Sequence, residues 1–210
     1  MQLDLETILP AEFYERDAHD VARHLLGKVI AHVSPRGLCA GSIVEVEVYG
    51  GVDDPACHAD RGYPTQRTAS MFGAPGIAYV YRIYGMYDCL NVVAPRGAGG
   101  KASAILIRAL EPVTGVALMA ARRGLADAGP RKLSRGLLSG PGKLCQALAV
   151  DRALDGTDLT RAPLFIADLG LDEPRAVGTS PRIGLNAATC GEATHFEWRY
   201  TVVGSRFLSR

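Results

Sequence analysis

Hydrophobic and polar residues alternate along several segments of the chain, which indicates β-strands with one buried face. Turn residues such as Pro35-Arg36-Gly37 and the glycine-rich run 95–100 separate these segments. Short turns between successive strands favour a mostly antiparallel sheet. The predicted strands are 28–34, 38–49, 78–84, 89–94, 102–110, 164–167, 182–185 and 199–203.

Helical spacing of apolar residues occurs in three places. Asp17 can cap a helix that ends at Gly27, because its carboxylate can accept hydrogen bonds from the first turn. Residues 114–123 and 143–150 also have helical spacing, and Pro141 lies near the first turn of the latter. The chain is therefore predicted to be mixed α+β.

Composition changes this picture little. The 210 residues are 48% hydrophobic and 21% charged, as in ordinary globular proteins. No repeat or linker divides the chain, so we expect one domain over residues 1–210. The N-terminus lacks signal-peptide features and no apolar run reaches membrane length, which favours an intracellular protein without a membrane segment. Five scattered cysteines without paired spacing predict neither a disulfide framework nor a zinc site.

The formal net charge of +1 argues weakly against a nucleic-acid partner, but the cations are unevenly distributed. Residues 122–143 contain six cations and a single acid, Asp127. Both a nucleic-acid-binding patch and an ordinary solvated face remain open on charge alone. The six cations are Arg122, Arg123, Arg131, Lys132, Arg135 and Lys143.

Two glutamates lie in the strand 43–49. Alternation predicts Val44, Val46 and Val48 on one face, and Glu45, Glu47 and Tyr49 on the other. Glutamates on an exposed strand face are ordinarily just solvated. However, this strand leads into the long irregular stretch 50–76, which carries His58, and loops of such length are usually functional or disordered. The neighbourhood therefore favours a cleft.

Tyrosines are concentrated in residues 79–87. Tyr79 and Tyr81 share one strand face, whereas Tyr84 and Tyr87 fall at the strand end, around Gly85. Tyrosines in strands most often serve packing. A ring at a turn tip can also act as a wedge between base steps, and Tyr84 is the predicted wedge.

Two further features are individually weak. Ser139-Gly140-Pro141-Gly142-Lys143 could cradle a phosphate at a helix start, although an ordinary capped turn is the simpler interpretation. Arg108 is predicted on the same strand face as Ala104, Leu106 and Leu110, where it needs an anionic or water partner. No HExxH, GxSxG, GxGxxG or paired CxxC motif occurs, so metal catalysis is not predicted.

Taken in order, these motifs resemble the alkyladenine (3-methyladenine) DNA glycosylase family. The resemblance extends from about Leu25 to the end of the chain. It rests on Glu45–Tyr49, His58, Arg67, Met71-Phe72, Pro75-Gly76, Tyr79–Tyr81, Tyr84–Tyr87, Asn91, Arg108–Pro112 and Ser139–Leu148.

The resemblance implies a single-domain mixed fold with a curved antiparallel sheet and flanking helices, and no cofactor. By matching positions, Glu47 resembles the general base that activates a water. Arg108 and the main chain near Ile183 would help to hold that water. His58 or a water could protonate neutral leaving bases.

The same resemblance implies how damaged DNA is bound. Tyr49 and His58 would stack on one face of a flipped purine and Tyr81 on the other, while Asn91 would crowd a purine 2-amino group. The DNA-contacting residues would be Thr65, Arg67, Tyr84, Met86, Tyr87 and Lys143.

The implied activity is base excision repair on double-stranded DNA that contains 3-methyladenine, 7-methylguanine, hypoxanthine or ethenoadenine. We expect a monomer in the cytoplasm, at the nucleoid of a bacterium, or in a nucleus. Val48, Asp60 and Tyr63 depart from the family pattern. Val48 is harmless if it points into the core, whereas Tyr63 and Asp60 could alter which lesions enter. Two alternatives remain: a damage-binding protein that does not cut, and an RNA- or nucleotide-binding module with tyrosine platforms.

Overall fold

Eight β-strands of the computed structural model form one curled antiparallel sheet, a half-barrel. The structure describes residues 5–50, 54–97, 100–129, 133, 136–171 and 176–209. The strands are β1 (Val29–Ser34), β2 (Gly37–Gly50), β3 (Ala78–Ile83), β4 (Tyr87–Ala94), β5 (Ser103–Thr114), β6 (Leu164–Ala167), β7 (Val177–Ser180) and β8 (Arg199–Val202). The α-helices among these described residues are α1 (Ala18–Leu25), α2 (Val116–Arg122), α3 (Pro141–Leu148) and α4 (Ala187–Cys190).

Strand β2 is the centre of the sheet, whose main path runs β3-β4-β5-β2-β1-β6. One edge of β2 pairs with β5, whereas the other edge pairs first with β1 and then, from Glu45 to Glu47, with β8. Strand β7 extends this second branch by pairing with β8. The branch formed by β8 and β7 therefore joins the sheet at the segment of β2 that contains Glu45 and Glu47.

The main hydrophobic core lies between the sheet and the helices. Helix α1 packs on β2 and β5, and α3 packs on β4 and β5. Fully buried side chains such as Leu25, Ile105 and Leu144 fill this layer, and each contributes about 1.5–3 kcal/mol through burial. The predicted class, mixed α+β with a curved antiparallel sheet and flanking helices, is confirmed. No helix in the described ranges is long and apolar enough to cross a membrane.

The opposite face of the sheet lies beneath the loop 54–76. Because side chains alternate across a strand, Ile105 points to the helices whereas its neighbour Ala104 points to the loop. A second apolar cluster forms there, in which Tyr79 and Met71 are almost fully buried. The loop contains a 3₁₀-helix, Ala69–Phe72, and covers the floor of the candidate site.

Irregularities in the β2–β5 ladder overturn two predictions about strand faces. The register shifts on both sides of Glu45, so that neither Val44 nor Arg108 has a partner in the ladder. Such bulges reverse the alternation of side chains. Val44 therefore packs with Ala109 and Phe207, not with Val46 and Val48.

The same shift separates Arg108 from Leu110, which joins the helix-side core. The predicted strand 182–185 is also wrong. Gly184 has a φ of +80°, which regular strands do not adopt, and strand β7 lies earlier, at Val177–Ser180. The other predicted helices and strands are confirmed, with ends that differ by a few residues.

Candidate active site

Glu47 is a carboxylate of β2 whose two oxygens both accept hydrogen bonds. Its side chain is fully buried, unlike the solvated glutamates that an exposed strand face ordinarily carries. One oxygen, Oε2, accepts from the Tyr49 hydroxyl at 2.7 Å and from Arg108 Nη1 at 3.0 Å. The other, Oε1, accepts from the main-chain N–H of Ile183 at 2.7 Å. A carboxylate offers about four acceptor positions, so one remains for a further donor.

Arg108 is buried beside this carboxylate and is shared between two glutamates. Its Nη1 donates to Glu47, and its Nε donates to Glu45 at 3.2 Å. Burial alone would lower the pKa of Arg108, but the attraction of Glu47 and Glu45 outweighs it, and the net pKa is raised. The guanidinium is therefore a permanent cation at the base of the site.

All three donors to Glu47 line a cavity of about 330 Å³ between the sheet and the loop. That volume lies in the range of small-molecule sites. The structure brings together the predicted catalytic and purine-binding positions around this cavity, with Tyr84 at its margin. The predicted residues that line it are Tyr49, His58, Tyr81, Tyr84, Asn91, Arg108 and Ile183.

Two of the rings expected to sandwich a purine touch each other. The His58 and Tyr81 ring centroids are 4.6 Å apart at an interplanar angle of 83°, and His58 Nδ1 lies 3.0 Å from the Tyr79 hydroxyl. This is the geometry of an edge-to-face aromatic pair in direct contact. A purine can stack between the two rings only after His58 moves.

Apart from the Arg108 cation at its base, the aromatic groups that line this cavity are electrically neutral at physiological pH. Partial burial of His58, with a smaller contribution from the cation Arg67, lowers its pKa to about 4. Burial also raises the pKa of Tyr49 and of Tyr81. Asn91 Nδ2 donates to the Tyr79 carbonyl at 2.9 Å, which leaves its Oδ1 as the atom for a ligand.

Arg182 and Asp54 form a buried ion pair next to Tyr49, which the sequence did not reveal. Arg182 donates two hydrogen bonds to Asp54, at 2.7 and 2.8 Å, and both side chains are 0% exposed. Its guanidinium lies over the Tyr49 ring at 4.7 Å and over the Trp198 ring at 5.0 Å. This pair fixes the chain immediately before Ile183. The proximity of Asp54 to the end of β2 was the one available signal.

The β3–β4 hairpin projects an exposed apolar tip beside the cavity. Tyr84 is 86% exposed and Met86 66% exposed, and Tyr87 is also exposed. Tyr84 has a φ of 51°, an unusual conformation for a residue other than glycine. Gly142, at the start of α3, packs closely against the base of the hairpin. A Cβ at this position would lie 3.0 Å from the Tyr87 ring, so the close contact depends on glycine.

A wider groove of about 800 Å³ continues from the cavity and shares Ile83, Arg108 and Pro141 with it. Its polar lining includes Lys143 and Arg123, together with residues 139–142 at the start of α3.

The structure describes only three of the six residues of the predicted basic patch, Arg122, Arg123 and Lys143. Arg122 points into the protein, where it donates to the Ser34 hydroxyl and the Ala147 carbonyl. Arg131, Lys132 and Arg135 lie outside the described residues. On the loop side, Arg67 lies over the Tyr81 ring at 5.2 Å, and the Thr65 hydroxyl bonds that of Thr68.

Comparison with known proteins identifies the family. The model of the methylpurine-DNA glycosylase family matches residues 12–206. This chain belongs to the methylpurine-DNA glycosylase family. A "Putative 3-methyladenine DNA glycosylase" of Rhodopseudomonas palustris (strain HaA2) is 47% identical over 201 residues, covering 96% of this chain and 90% of that protein.

Two further relatives of the same printed name support this membership. The protein of Methanoculleus marisnigri (strain ATCC 35101 / DSM 1498 / JR1) is 45% identical over 205 residues, which cover 96% of this chain and 98% of the relative. That of Desulfitobacterium hafniense (strain Y51) is 40% identical over 203 residues, with coverage of 96% and 98%. The family resemblance found in the sequence is thereby confirmed, and with it the assignment to DNA repair glycosylases.

Proposed function

We propose that the protein is a monofunctional DNA-3-methyladenine glycosylase, which turns a damaged purine out of duplex DNA and hydrolyses its N-glycosidic bond. Water supplies the oxygen that bonds to the sugar anomeric carbon, and the base leaves with the electrons of the broken bond. One observation carries the proposal. The Glu47 carboxylate is held by three donors that all line an aromatic cavity, and one of its acceptor positions is left over.

In this proposal Glu47 accepts a proton from the attacking water and stabilises the positive charge that develops on the sugar. General base assistance of this kind adds about 100- to 10,000-fold in rate. Arg108 and the Ile183 N–H hold the carboxylate in position, which avoids reorganisation during the reaction. Within the described part of the chain no lysine lines the cavity, which favours water over an amine nucleophile.

The neutral rings of the cavity suit a positively charged purine. Each cation–π contact contributes about 0.5–2 kcal/mol, so that 3-methyladenine and 7-methylguanine are favoured over unmodified purines. These bases also leave without protonation. Hypoxanthine and ethenoadenine are neutral and need a proton in order to leave, which His58 or a water would supply. Asn91 Oδ1 would crowd a purine 2-amino group.

The hairpin tip would keep the duplex open. The Tyr84 ring would fill the gap left by the flipped base, with Met86 and Tyr87 packed against neighbouring sugars and bases. Lys143 and the α3 N-terminus would contact phosphates on the groove side. The corresponding phosphate contacts on the loop side would come from Thr65 and Arg67. We propose a monomer that works on double-stranded DNA in the nucleoid or nucleus.

The test uses purified protein and duplexes that carry one 3-methyladenine, hypoxanthine or ethenoadenine, with chelator present. Alkali then cleaves abasic sites, and strand breaks are counted. We expect breaks with wild type, and with Glu47→Gln we expect duplex binding without breaks. Glu111→Gln alters an exposed glutamate of β5 and serves as the control with wild-type activity. Tight binding by wild type without any break would instead identify a damage-binding protein.

A further inference from the structure

Glu45 and Glu47 are both fully buried, and neither is among the residues that line the two cavities. All three donors to Glu47 line the smaller cavity, whereas Arg199, a donor to Glu45, lines neither cavity. The Glu45 carboxylate accepts hydrogen bonds from Arg108 Nε at 3.2 Å and from Arg199 Nε at 2.7 Å. The Ser209 hydroxyl donates to it at 2.7 Å, and the Ser209 main-chain N–H donates as well. Four donors thus hold the Glu45 carboxylate, one more than hold Glu47.

The two glutamates would repel each other if they were buried without cations. Arg108 bonds both of them, and Arg199 supplies the second positive charge, so that the cluster is balanced. A guanidinium is planar and its donors have a fixed geometry. The bonds from Nε to Glu45 and from Nη1 to Glu47 therefore fix the whole plane. Nη2 has no hydrogen-bond partner among the described residues, and Arg108 lines both cavities.

The C-terminal segment completes this arrangement. Phe207 packs on Val44 and Ala109 at the bulge that releases Arg108 from the β2–β5 ladder. Two residues later, Ser209 bonds both Glu45 and Arg108 Nε, the latter at 3.2 Å. Bulges near active sites commonly redirect one side chain. Here the bulge redirects Arg108, and the C-terminal segment holds Arg108 in its new direction.

We propose that Glu45 is a positioning residue for the hydrolysis. Together with Ser209, it orients Arg108 so that Nη1 stays on Glu47 and Nη2 remains available to the water or the sugar phosphate. This inference rests on the proposed glycosylase function, because it assigns Glu45 a role in that reaction. Glu45 acts through Arg108 and does not touch the substrate.

The kinetic test separates catalysis from binding. Glu45→Gln keeps the size of the side chain but removes its charge, and we expect the single-turnover rate of base release to fall about tenfold or more. The Kd for lesion duplex should stay within about twofold of wild type. His32→Gln is the matched control. His32 is buried in β1 and bonds the Leu148 carbonyl at 2.7 Å, so that this change affects packing away from the site.

Ser209→Ala covers the possibility that Glu45→Gln does not fold. It retains every charge of the cluster and deletes only the hydroxyl, and the rate should fall about 2- to 10-fold at unchanged Kd. If wild type is active and both variants release base at the wild-type rate, the inference is wrong while the proposed function stands. If wild type itself releases no base, it is the proposed function that fails.

A second readout does not depend on activity. The Nε–H of Arg108, assigned by its loss in Arg108→Lys, should give a slowly exchanging NMR signal, because Nε is bonded to Glu45 and Ser209. We expect that protection to disappear in Glu45→Gln and to persist in His32→Gln. A fast-exchanging signal in wild type, or an unchanged signal in Glu45→Gln, would overturn the positioning role.

Discussion

The ion pair between Arg182 and Asp54 should contribute strongly to both stability and activity. Asp54→Asn removes the charge that balances a guanidinium which is 0% exposed and lies between the Tyr49 and Trp198 rings. Removing one partner of a buried ion pair costs about 3–5 kcal/mol. Arg182 keeps two main-chain acceptors, the carbonyls of Val48 and Ala193, so we expect a value near 3 kcal/mol.

For a chain of this size, 1 kcal/mol corresponds to about 2–4 °C in Tm, so Asp54→Asn should lower Tm by about 6–12 °C. The rate of base release should also fall at temperatures where the variant is folded. The rate should fall because Ile183 follows Arg182 directly. Its N–H, which bonds Glu47, would lose its fixed position.

Thermal unfolding followed by circular dichroism and single-turnover kinetics at 20 °C below each Tm would measure the two effects. Asp20→Asn breaks the exposed pair with Arg23 and is the matched control. It should change Tm by less than about 4 °C, since exposed pairs contribute about 0–1 kcal/mol. Equal Tm shifts in the two variants would refute the claim that burial makes the Asp54 pair important.

Three further predictions concern DNA binding and pH. Tyr84→Ala should weaken binding to lesion duplex and reduce flipping, read by a fluorescent base analogue; an unchanged signal would reject the wedge. Lys143→Ala should weaken binding to every sequence alike and reduce the salt slope by about one charge, whereas an unaltered slope would exclude a phosphate contact. His58 has a folded pKa below its unfolded value, so its stabilisation is complete above pH 6.5 and is lost as pH falls towards 4. Thermal unfolding against pH should show a smaller loss in His58→Gln than in wild type, because His19, whose pKa burial also lowers, contributes in both proteins.

Much of the fold follows from local patterns in the sequence. The alternation that predicts β1 to β5 depends on burial of one strand face, and the capping by Asp17 depends on neighbouring residues only. The resemblance to the family predicts Glu47, Tyr81 and Arg108 as parts of one site. In the structure Tyr81, Arg108 and the other donors to Glu47 line one cavity, while the individual roles remain predictions.

What the sequence did not reveal depends on contacts between distant segments. The bulges around Glu45 arise from the register between β2 and β5, which no local pattern encodes. Asp54 and Arg182 are 128 residues apart, and nothing near either residue identifies its partner. The partners of Glu45 could not be predicted for the same reason, because its donors come from β5, β8 and the C-terminal segment.

Charge balance beneath the cavity bears on how the proposed reaction would discriminate between bases. Three carboxylates, Glu45, Glu47 and Asp54, are matched by Arg108, Arg199 and Arg182. Because their charges cancel, the cluster exerts little net attraction on a cationic base, and selection falls to the neutral rings above it. An undamaged purine gains stacking but no cation–π attraction. It also needs a proton to leave, whereas a cationic base leaves without one. Discrimination would therefore operate at both binding and bond cleavage.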